Sequence, residues 1–267
     1  MKEEESIFQS EEKKYYFNDI VKAIKLSGIN KGDTVFIHAD LSKFGRLSEV
    51  KNRNKFNQFF LDACLNSVGK NGTVIIPTFT YSFCNNEIFD YFDSSSTIGY
   101  FSELARKSKG FVRTNDPIFS VVVKGPLEKS LTTNLSNNCL GKNSIFDKLL
   151  KLNCKILHLG YPFYSTFVHF FEAQLKVPYR YDKIFHGITK IGKDNIEQDV
   201  IYNVRNLDLN PLPNIDMIEK AAKNEKTFHK VRLGSGEITS ISAQNLFYII
   251  EKLLKTDPYS IVKINKN

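Results

Sequence analysis

A histidine and a glutamate three residues apart, His169 and Glu172, stand in an otherwise apolar and aromatic segment, GYPFYSTFVHFFEAQLKVPYRY. In an α-helix, positions i and i+3 share a face, so the two side chains can meet or converge on a common cleft. A carboxylate beside an imidazole fixes its tautomer and raises its basicity, as a general base near neutral pH requires. The same spacing also fits a half-buried histidine beside a surface glutamate. The pair alone leaves both interpretations open.

The remaining histidines differ in what their positions indicate. His38 ends a short apolar strand, FIHADLS. Open α/β sheets gather ligand-binding groups at the carboxyl ends of their strands, so His38 is a candidate site residue. A strand-end histidine bonded to backbone is the competing interpretation. His158 alternates within an apolar strand, which indicates a core position, and the sequence assigns no role to His186 and His229.

The sequence contains no motif for several other kinds of functional site. Neither a G-x-S-x-G nucleophile elbow nor a Gly-rich phosphate loop occurs. The four cysteines are far apart, and no third ligand accompanies His169 and Glu172, so we predict neither a disulfide framework nor a metal site. Nothing near Cys84 in sequence would activate its thiol, and we interpret it as incidental.

The elements that must position these residues alternate between helices and strands. Helical periodicity marks FNDIVKAIKLSGI and NKFNQFFLDACLNSVG, and short apolar runs mark KGDTVFIHADLS, TVIIPTF, FSVVVKG and CKILHLG. Continuous apolar strands indicate burial on both faces. Hairpins around Gly192 and Gly234 and a closing helix follow. We predict one domain, 1–267: an α/β/α sandwich with a central mixed sheet and a smaller C-terminal α+β portion over about 183–267.

Two local features bear on the site. A polar and aromatic loop spans residues 81–96, and loops this long are more often functional than not. Its terminal serines are predicted to cap the next helix, TIGYFSELARKS. The segment with the histidine and glutamate is predicted to be a helix that starts at Ser165.

Composition restricts the class of protein. The chain has 267 residues, 42% of them hydrophobic, with charges at the N-terminus and no apolar run near the ~18 residues of a membrane span. We therefore expect a cytoplasmic protein with no membrane partner. The net charge of +8 would suit a polyanion, but the lysines are scattered and no nucleic-acid motif occurs. A small anionic ligand is favoured over nucleic acid, and a homodimer is left open.

Five blocks of sequence, in order and spacing, resemble the aminoglycoside 3-N-acetyltransferase family. They are KGDTVFIHADLSKFG, NGTVIIPTFTYSF, RTNDPIFSVVVKG, GKNSIFDKL and STFVHFFEAQLKVPYR, within about residues 17–182. The resemblance implies an N-acetyltransferase with an α/β/α fold, acetyl-CoA as co-substrate and no metal. It also implies that His169 and Glu172 are the His-x-x-Glu catalytic pair of the family.

The resemblance extends to individual site residues. His38 falls on the histidine of the family's His-x-Ser-Leu-Ser block, where Asp40 replaces a serine, and it joins His169 and Glu172 as a catalytic candidate. Phe119 stands where some relatives carry a histidine. The residues implied for cofactor binding are Ser42, Thr78, Phe79, Thr80, Ser120, Val121 and Ser144, and those implied for substrate binding are Tyr81, Phe83, Asp116, Phe119 and Thr166.

The mechanism that the resemblance implies is direct transfer, in which His169 takes a proton from the acceptor amine and Glu172 stabilises the imidazolium. We expect the acceptor to be a nucleotide-linked amino sugar used in surface polysaccharide (O-antigen or capsule) synthesis, because an anion is favoured by a basic protein. Carboxylates in the loop, Glu87, Asp90 and Asp93, keep an aminoglycoside antibiotic as the alternative. A relative without catalytic activity, or a hydrolase that uses the same pair to activate water, would also fit these residues.

Overall fold

The computed structural model describes residues 5–264. Its α-helices are α1 Phe17–Leu26, α2 Arg53–Val68, α3 Tyr100–Lys107, α4 Glu128–Thr132, α5 Ile145–Lys151, α6 Phe167–Gln174, α7 Ile215–Ala222 and α8 Ala243–Thr256. Its strands are β1 Phe8–Ser10, β2 Lys13–Tyr15, β3 Thr34–Ala39, β4 Arg46–Leu47, β5 Thr73–Pro77, β6 Phe89–Asp90, β7 Val112–Arg113, β8 Val121–Lys124, β9 Lys155–Leu159, β10 Arg180–Ile191, β11 Asp194–Arg205, β12 Pro211–Pro213, β13 His229–Leu233, β14 Gly236–Ser242 and β15 Val262–Ile264.

The central sheet has seven strands in the order β13-β14-β9-β3-β5-β8-β7. Strand β3 runs parallel to β5 and β9, and the other neighbouring pairs are antiparallel. The predicted mixed sheet is therefore confirmed. The segment 183–267 contributes β13 and β14 to this same sheet, so the C-terminal portion extends the sheet as well as packing on it.

Successive residues of the central strands enter two different apolar cores. Val35 and Ile37 of β3 lie in the core that also holds residues of α1, α2 and α3, whereas Phe36 lies in the core with residues of α5, α6 and α8. Because side chains alternate between the faces of a strand, a strand covered on both sides needs apolar residues at every position. This explains the continuous apolar runs and confirms the α/β/α arrangement.

Helix α6 is fixed by its aromatic side chains. Phe167, Phe170 and Phe171 are buried in the core beneath the helix, and the Phe167 ring meets Phe36 edge-on at 5.4 Å between centroids. Helical geometry then leaves His169 and Glu172 together on a neighbouring face. The helix begins at Phe167 after Thr166, two residues later than predicted, and Ser165 instead bonds to the end of β3.

The hairpin of β10 and β11 packs against the loop of residues 81–96. β6 of that loop pairs in parallel with Thr189 and Lys190 of β10. Gly187 allows the ring of Phe83 to pack against the strand, since a Cβ there would lie 2.6 Å from the ring. The loop and the hairpin thus support each other beside α6.

The predicted serine cap of α3 is wrong. The helix begins after Gly99, whose φ of 133° excludes most other residues, and no side chain caps it. Ser96 takes part through its backbone instead, because its N–H donates to Oε2 of Glu103 at 2.9 Å. Among the helices of residues 5–264, none combines the length and the apolar character that crossing a membrane requires.

Candidate active site

The His169–Glu172 pair is formed in the structure. Nδ1 of His169 lies 2.8 Å from Oε2 of Glu172, and the hydroxyl of Tyr179 donates to Oε1 of the same carboxylate at 3.0 Å. The side chain of Glu172 is 2% exposed and that of His169 is 21% exposed. With the proton on Nδ1, the other ring nitrogen, Nε2, is unprotonated and can act as a base. The hydroxyl of Tyr164 lies 3.3 Å from this nitrogen.

The guanidinium of Arg180 contacts both His169 and Glu172. Its Nε lies 2.6 Å from Oε2 of Glu172, as an ion pair without hydrogen-bond alignment, and its Nη1 donates to the carbonyl of Asn203 at 3.1 Å. Its Nη2 lies 2.5 Å from Nδ1 of His169. Because a guanidinium can only donate, Nδ1 must either donate to Glu172 or accept from Arg180. Only donation to Glu172 leaves Nε2 unprotonated.

The electrostatics keep the pair in the state that a general base needs. Burial and the positive charge of Arg180 lower the pKa of His169, and they outweigh the opposite effect of Glu172. Burial opposes ionisation of Glu172, but the hydrogen bond from His169 and the charge of Arg180 outweigh it, so the pKa of Glu172 lies below its ordinary value. We therefore expect a neutral imidazole beside a carboxylate at neutral pH, with less basicity than a carboxylate partner alone would give.

This pair lines a cavity of about 540 Å³ between α6, the loop after β5 and the hairpin. Its aromatic lining consists of Tyr81, Tyr164, Tyr179, Tyr181, Phe185 and Tyr202. Cationic side chains line it as well, from Arg180, Lys183 and Arg205. Glu172 is the only acidic residue of the described chain on its wall, and it is already paired. The cavity therefore combines aromatic rings with a surplus of positive charge.

His38 lies behind the segment that precedes α6. Its Nε2 is 2.9 Å from Oγ of Ser165, and its ring stacks on those of His158 and Tyr161 with 5.6 Å between centroids in each case. Burial, together with the neighbouring His158, lowers the pKa of His38, so it is neutral. His38 contacts neither His169 nor Glu172 directly, and its catalytic role stays a prediction. His158 is buried, in agreement with its predicted core position.

A second cavity, of about 560 Å³, opens at the carboxyl end of β3. Ser42 lines it, together with Asp40, Arg53 and the residues 98–101 around the start of α3. Oγ of Ser42 donates to the carboxylate of Asp40 at 2.5 Å. Tyr161 also lines this cavity, whereas Tyr164, three residues on, lines the first. The segment between β9 and α6 therefore lies between the two cavities.

Most of the other residues predicted for cofactor binding lie in the interior. Thr78 and Ser120 hydrogen-bond each other, with Oγ of Ser120 donating to the Thr78 carbonyl at 2.7 Å, and Arg113 donates to both residues. Thr80 donates to the carbonyl of Pro117 at 2.9 Å. Phe79, Val121 and Ser144 are also buried, the last as the N-cap of α5. These residues line neither cavity, and their contact with a cofactor stays a prediction.

The residues predicted for substrate binding divide in a similar way. Tyr81 lines the first cavity, and the buried ring of Phe119 supports it edge-on at 5.6 Å between centroids. Phe83 is buried beneath the hairpin. Asp116 accepts from the backbone N–H groups of Ile118 and Phe119. Thr166 is the N-cap residue of α6, and its carbonyl accepts from the His169 N–H at 3.0 Å. Phe83, Asp116, Phe119 and Thr166 are not among the residues that line the cavity.

The carboxylates of the loop 81–96 lie elsewhere. Asp90 pairs with Lys190 of β10 at 2.9 Å, and neither Glu87 nor Asp93 is part of the wall of the cavity. In the chain from residue 5 to residue 264, no group of three metal-binding side chains comes together. The loop therefore adds no negative charge to the cavity wall.

Sequence reasoning missed Tyr164, Tyr179, Arg180, Lys183 and Arg205. The VPYR sequence after α6 is part of the family resemblance, but the resemblance gives its arginine no role. A cation soon after a buried carboxylate was the one available signal. Arg205 could not be found in this way, because the pairing of β11 with β10 brings it to the site.

One comparison with known proteins identifies a family. A family model described as aminoglycoside 3-N-acetyltransferase matches residues 36–255. No curated protein sequence gives a significant match.

Solved structures share the fold at low sequence identity. AAC-VIa with bound sisomicin is 18% identical, with a TM-score of 0.78 over 91% of this chain and 98% of that chain. AAC-IIIb in a binary complex with CoASH is 18% identical, with a TM-score of 0.75 over 90% and 96%. YokD from Bacillus subtilis is 19% identical, with a TM-score of 0.75 over 90% and 93%.

Proposed function

This chain belongs to the aminoglycoside 3-N-acetyltransferase family, and from that premise we propose that it transfers the acetyl group of acetyl-CoA to an amine of an amino sugar, with His169 as the general base. As a member of the family it is an acyltransferase that acts on nitrogen. The observation that carries the proposal is the hydrogen-bonded His169–Glu172 pair on the wall of an aromatic cavity. Retention of both members of the pair argues against a relative that has lost catalysis.

The reaction needs one base and one acid, and His169 supplies both in turn. Nε2 takes a proton from the acceptor amine as its nitrogen attacks the thioester carbonyl, and the C–N bond forms. The C–S bond then breaks, and the CoA thiolate receives that proton from the imidazolium. Glu172 stabilises the imidazolium between the two steps. To the hydroxyl of Tyr164, which lies 3.3 Å from Nε2 and 3.4 Å from Nδ1 of His169, we assign donation to the oxyanion of the tetrahedral intermediate.

The two cavities suit two substrates. The second cavity lies at the carboxyl end of β3 and carries Ser42 and Arg53, so we assign acetyl-CoA to it. The acceptor then occupies the first cavity beside His169. Holding the two in fixed positions supplies much of the acceleration through proximity.

Two classes of acceptor have support. An aminoglycoside is favoured by the comparisons, since the family is described by that activity and AAC-VIa binds sisomicin. A nucleotide-linked amino sugar, of the kind used in surface polysaccharide synthesis, is favoured by the cations and rings of the first cavity and by the net charge of +8. Aminoglycosides are polycations and are best held by carboxylates, which this wall offers only in the paired Glu172.

The test is release of free thiol from acetyl-CoA with different acceptors. The panel contains kanamycin, gentamicin and sisomicin on one side and nucleotide-linked 3-amino and 4-amino dideoxysugars on the other. We expect release to depend on an acceptor amine and to be lost in His169→Gln. Release without any acceptor would identify a hydrolase, and binding of acetyl-CoA without turnover on any amine would identify a non-catalytic relative.

A further inference from the structure

The two carboxylate oxygens of Glu172 have different partners. Oε2 lies 2.8 Å from Nδ1 of His169 and 2.6 Å from Nε of Arg180. Oε1 accepts a hydrogen bond from the hydroxyl of Tyr179 at 3.0 Å. The side chain of Glu172 is 2% exposed, so the donors that orient its carboxylate come from the protein. Because the terminal torsion of a glutamate is only loosely restricted by its own geometry, these donors decide which oxygen faces His169.

Tyr179 is held in place independently of Glu172. Its ring is fully buried and lies 5.6 Å from the ring of Tyr259 between centroids. Its carbonyl accepts a hydrogen bond from the backbone N–H of Asn206 at 2.9 Å, which ties the residue before β10 to the residue after β11. Glu172 lies on α6, so the Tyr179 hydroxyl fixes the carboxylate from a different segment of the chain.

A phenol hydroxyl suits this position because it is a neutral donor. Arg180 already places a positive charge beside Oε2. A second cation at Oε1 would offset more of the carboxylate charge, and that charge stabilises the imidazolium during proton transfer. The Tyr179 hydroxyl stays protonated, because burial and the neighbouring Glu172 raise its pKa. It therefore orients the carboxylate without cancelling its charge.

We propose that Tyr179 is a positioning residue of the catalytic base: its hydroxyl holds Oε1 of Glu172, so that Oε2 accepts the Nδ1 proton of His169 and Nε2 stays open to the proton of the acceptor amine. The inference rests on the proposed acetyl transfer and adds a third residue to the His169–Glu172 pair. Without the hydroxyl the carboxylate can turn toward Arg180, whose Nη2 lies 2.5 Å from Nδ1 and competes for it. Where Nδ1 accepts from Arg180, Nε2 carries the proton and cannot act as a base.

The test uses Tyr179→Phe, which removes one oxygen atom and leaves the ring in place. The matched control is Tyr91→Phe, because the hydroxyl of Tyr91 also donates a hydrogen bond, to the carbonyl of Arg113 at 2.7 Å, and lies outside the first cavity. Turnover is measured as a function of pH. The pKa of His169 is measured separately by NMR of the imidazole rings, which needs no turnover. The chain has five histidines, so the signal of His169 is identified by its loss in His169→Gln.

A further variant tests whether Tyr179 acts through Glu172. Glu172→Met removes the carboxylate and keeps an unbranched side chain of similar length. The NMR titration of His169 is repeated in this variant and in its combination with Tyr179→Phe.

We expect Tyr179→Phe to lower kcat about tenfold, the usual effect of losing one hydrogen bond to a charged group, with little change in either KM. Removal of a hydrogen bond that favours the carboxylate makes the His169–Glu172 pair hold a proton more tightly. The pKa of His169 therefore rises, and the acidic limb of kcat/KM moves to higher pH. Tyr91→Phe should change neither, and in the Glu172→Met background Tyr179→Phe should leave the pKa of His169 unchanged. The compared proteins share the other charged or titratable neighbours of the pair, which are Tyr164, Arg180 and Arg205.

Several results would overturn the inference. An unchanged pKa of His169 in folded Tyr179→Phe would do so, whatever the turnover. A pKa shift of the same size in the Glu172→Met background would show that Tyr179 does not act through the carboxylate. Equal losses of kcat in Tyr179→Phe and Tyr91→Phe would reduce the effect to a general loss of stability. If no amine is acetylated by the unaltered protein, the proposed function fails, whereas a rise in the pKa of His169 that depends on Glu172 would still support the positioning role.

Discussion

Two arginines with buried side chains have opposite surroundings in this chain. Arg113 directs its donors to four uncharged oxygens: Oγ of Ser120 and the carbonyls of Thr78, Tyr91 and Ser94. Arg180 faces a carboxylate and an imidazole that both compete for its donors, and its Nε lacks an aligned hydrogen bond. Burial lowers the pKa of Arg113 to about 10, so it remains charged at neutral pH.

The difference separates an arrangement that stabilises the fold from one to which we assign a part in catalysis. Around Arg113 each donor has one partner and neither cavity touches the cluster, so the arrangement can hold β5, β8 and the loop 81–96 in a single conformation. Around Arg180 one nitrogen, Nδ1 of His169, is contacted by Glu172, by Arg180 and, at 3.4 Å, by the hydroxyl of Tyr164, and the cluster opens into a cavity. Local conflicts of this kind concentrate at functional sites. The presence of a buried arginine alone would not have distinguished the two.

The largest effect should come from the base itself. We expect His169→Gln to lower turnover by about two orders of magnitude or more, the usual loss for a general base, with an unchanged melting temperature. Steady-state rates and thermal melting are measured together. His186→Gln is the matched control, because His186 is 80% exposed and pairs with Asp199 outside the first cavity. Near-native turnover in folded His169→Gln would remove the Arg180 cluster from the mechanism.

The Arg113 cluster should respond in stability rather than in chemistry. Arg113→Met leaves buried oxygens without donors, and we expect it to cost about 3 kcal/mol, which corresponds to a fall in melting temperature of about 6–12 °C. The KM values of the remaining folded protein should not change. A specific rise in the KM for acetyl-CoA, with little loss of stability, would instead assign Thr78 and Ser120 to the cofactor, as the family resemblance implies.

Arg180→Lys tests whether the cluster around Arg180 depends on the geometry of the guanidinium. Lysine keeps the charge but cannot reach Glu172 and the Asn203 carbonyl with one rigid group. We expect kcat to fall about tenfold through misalignment of the pair, with an unchanged KM for acetyl-CoA. Arg46→Lys, on the exposed strand β4, is the control. If both substitutions are equally harmless, Arg180 contributes charge alone.

How much of the fold and the site the sequence predicts depends on how far apart in the chain the interacting residues are. His169 and Glu172 were found because i and i+3 contacts are local to one helix, and the sheet was found because its strands read as apolar runs. The register of β10 on β11 joins residues 25 positions apart, Arg180 and Arg205, and no local pattern encodes it. For Thr78 and Ser120 the family resemblance implied contact with the cofactor, but it could not show that both hydroxyls are buried and hydrogen-bonded to each other's segments; their role stays a prediction.

The smallest effect concerns the pH dependence of the base. Burial lowers the pKa of His169 most, Arg180 and Arg205 lower it further, and Glu172 raises it. His169 must be neutral to accept a proton, so kcat/KM rises with pH through this pKa. Arg205→Gln removes one positive charge, so the pKa of His169 rises and the acidic limb of the profile moves to higher pH.

Arg205 is exposed, so the shift should shrink as salt is added, whereas the buried contribution of Glu172 and Arg180 should persist. The profile is measured with the same acceptor for both proteins, so ionisation of the acceptor amine cancels. Tyr164 beside His169 and Tyr179 beside Glu172 stay protonated, because burial raises the pKa of both. Lys193→Met, which removes a charge from the exposed turn of the same hairpin, should leave the limb in place. An acidic limb that moves to lower pH in Arg205→Gln, or a shift that salt does not reduce, would show that Arg205 acts on His169 through structure and not through its charge.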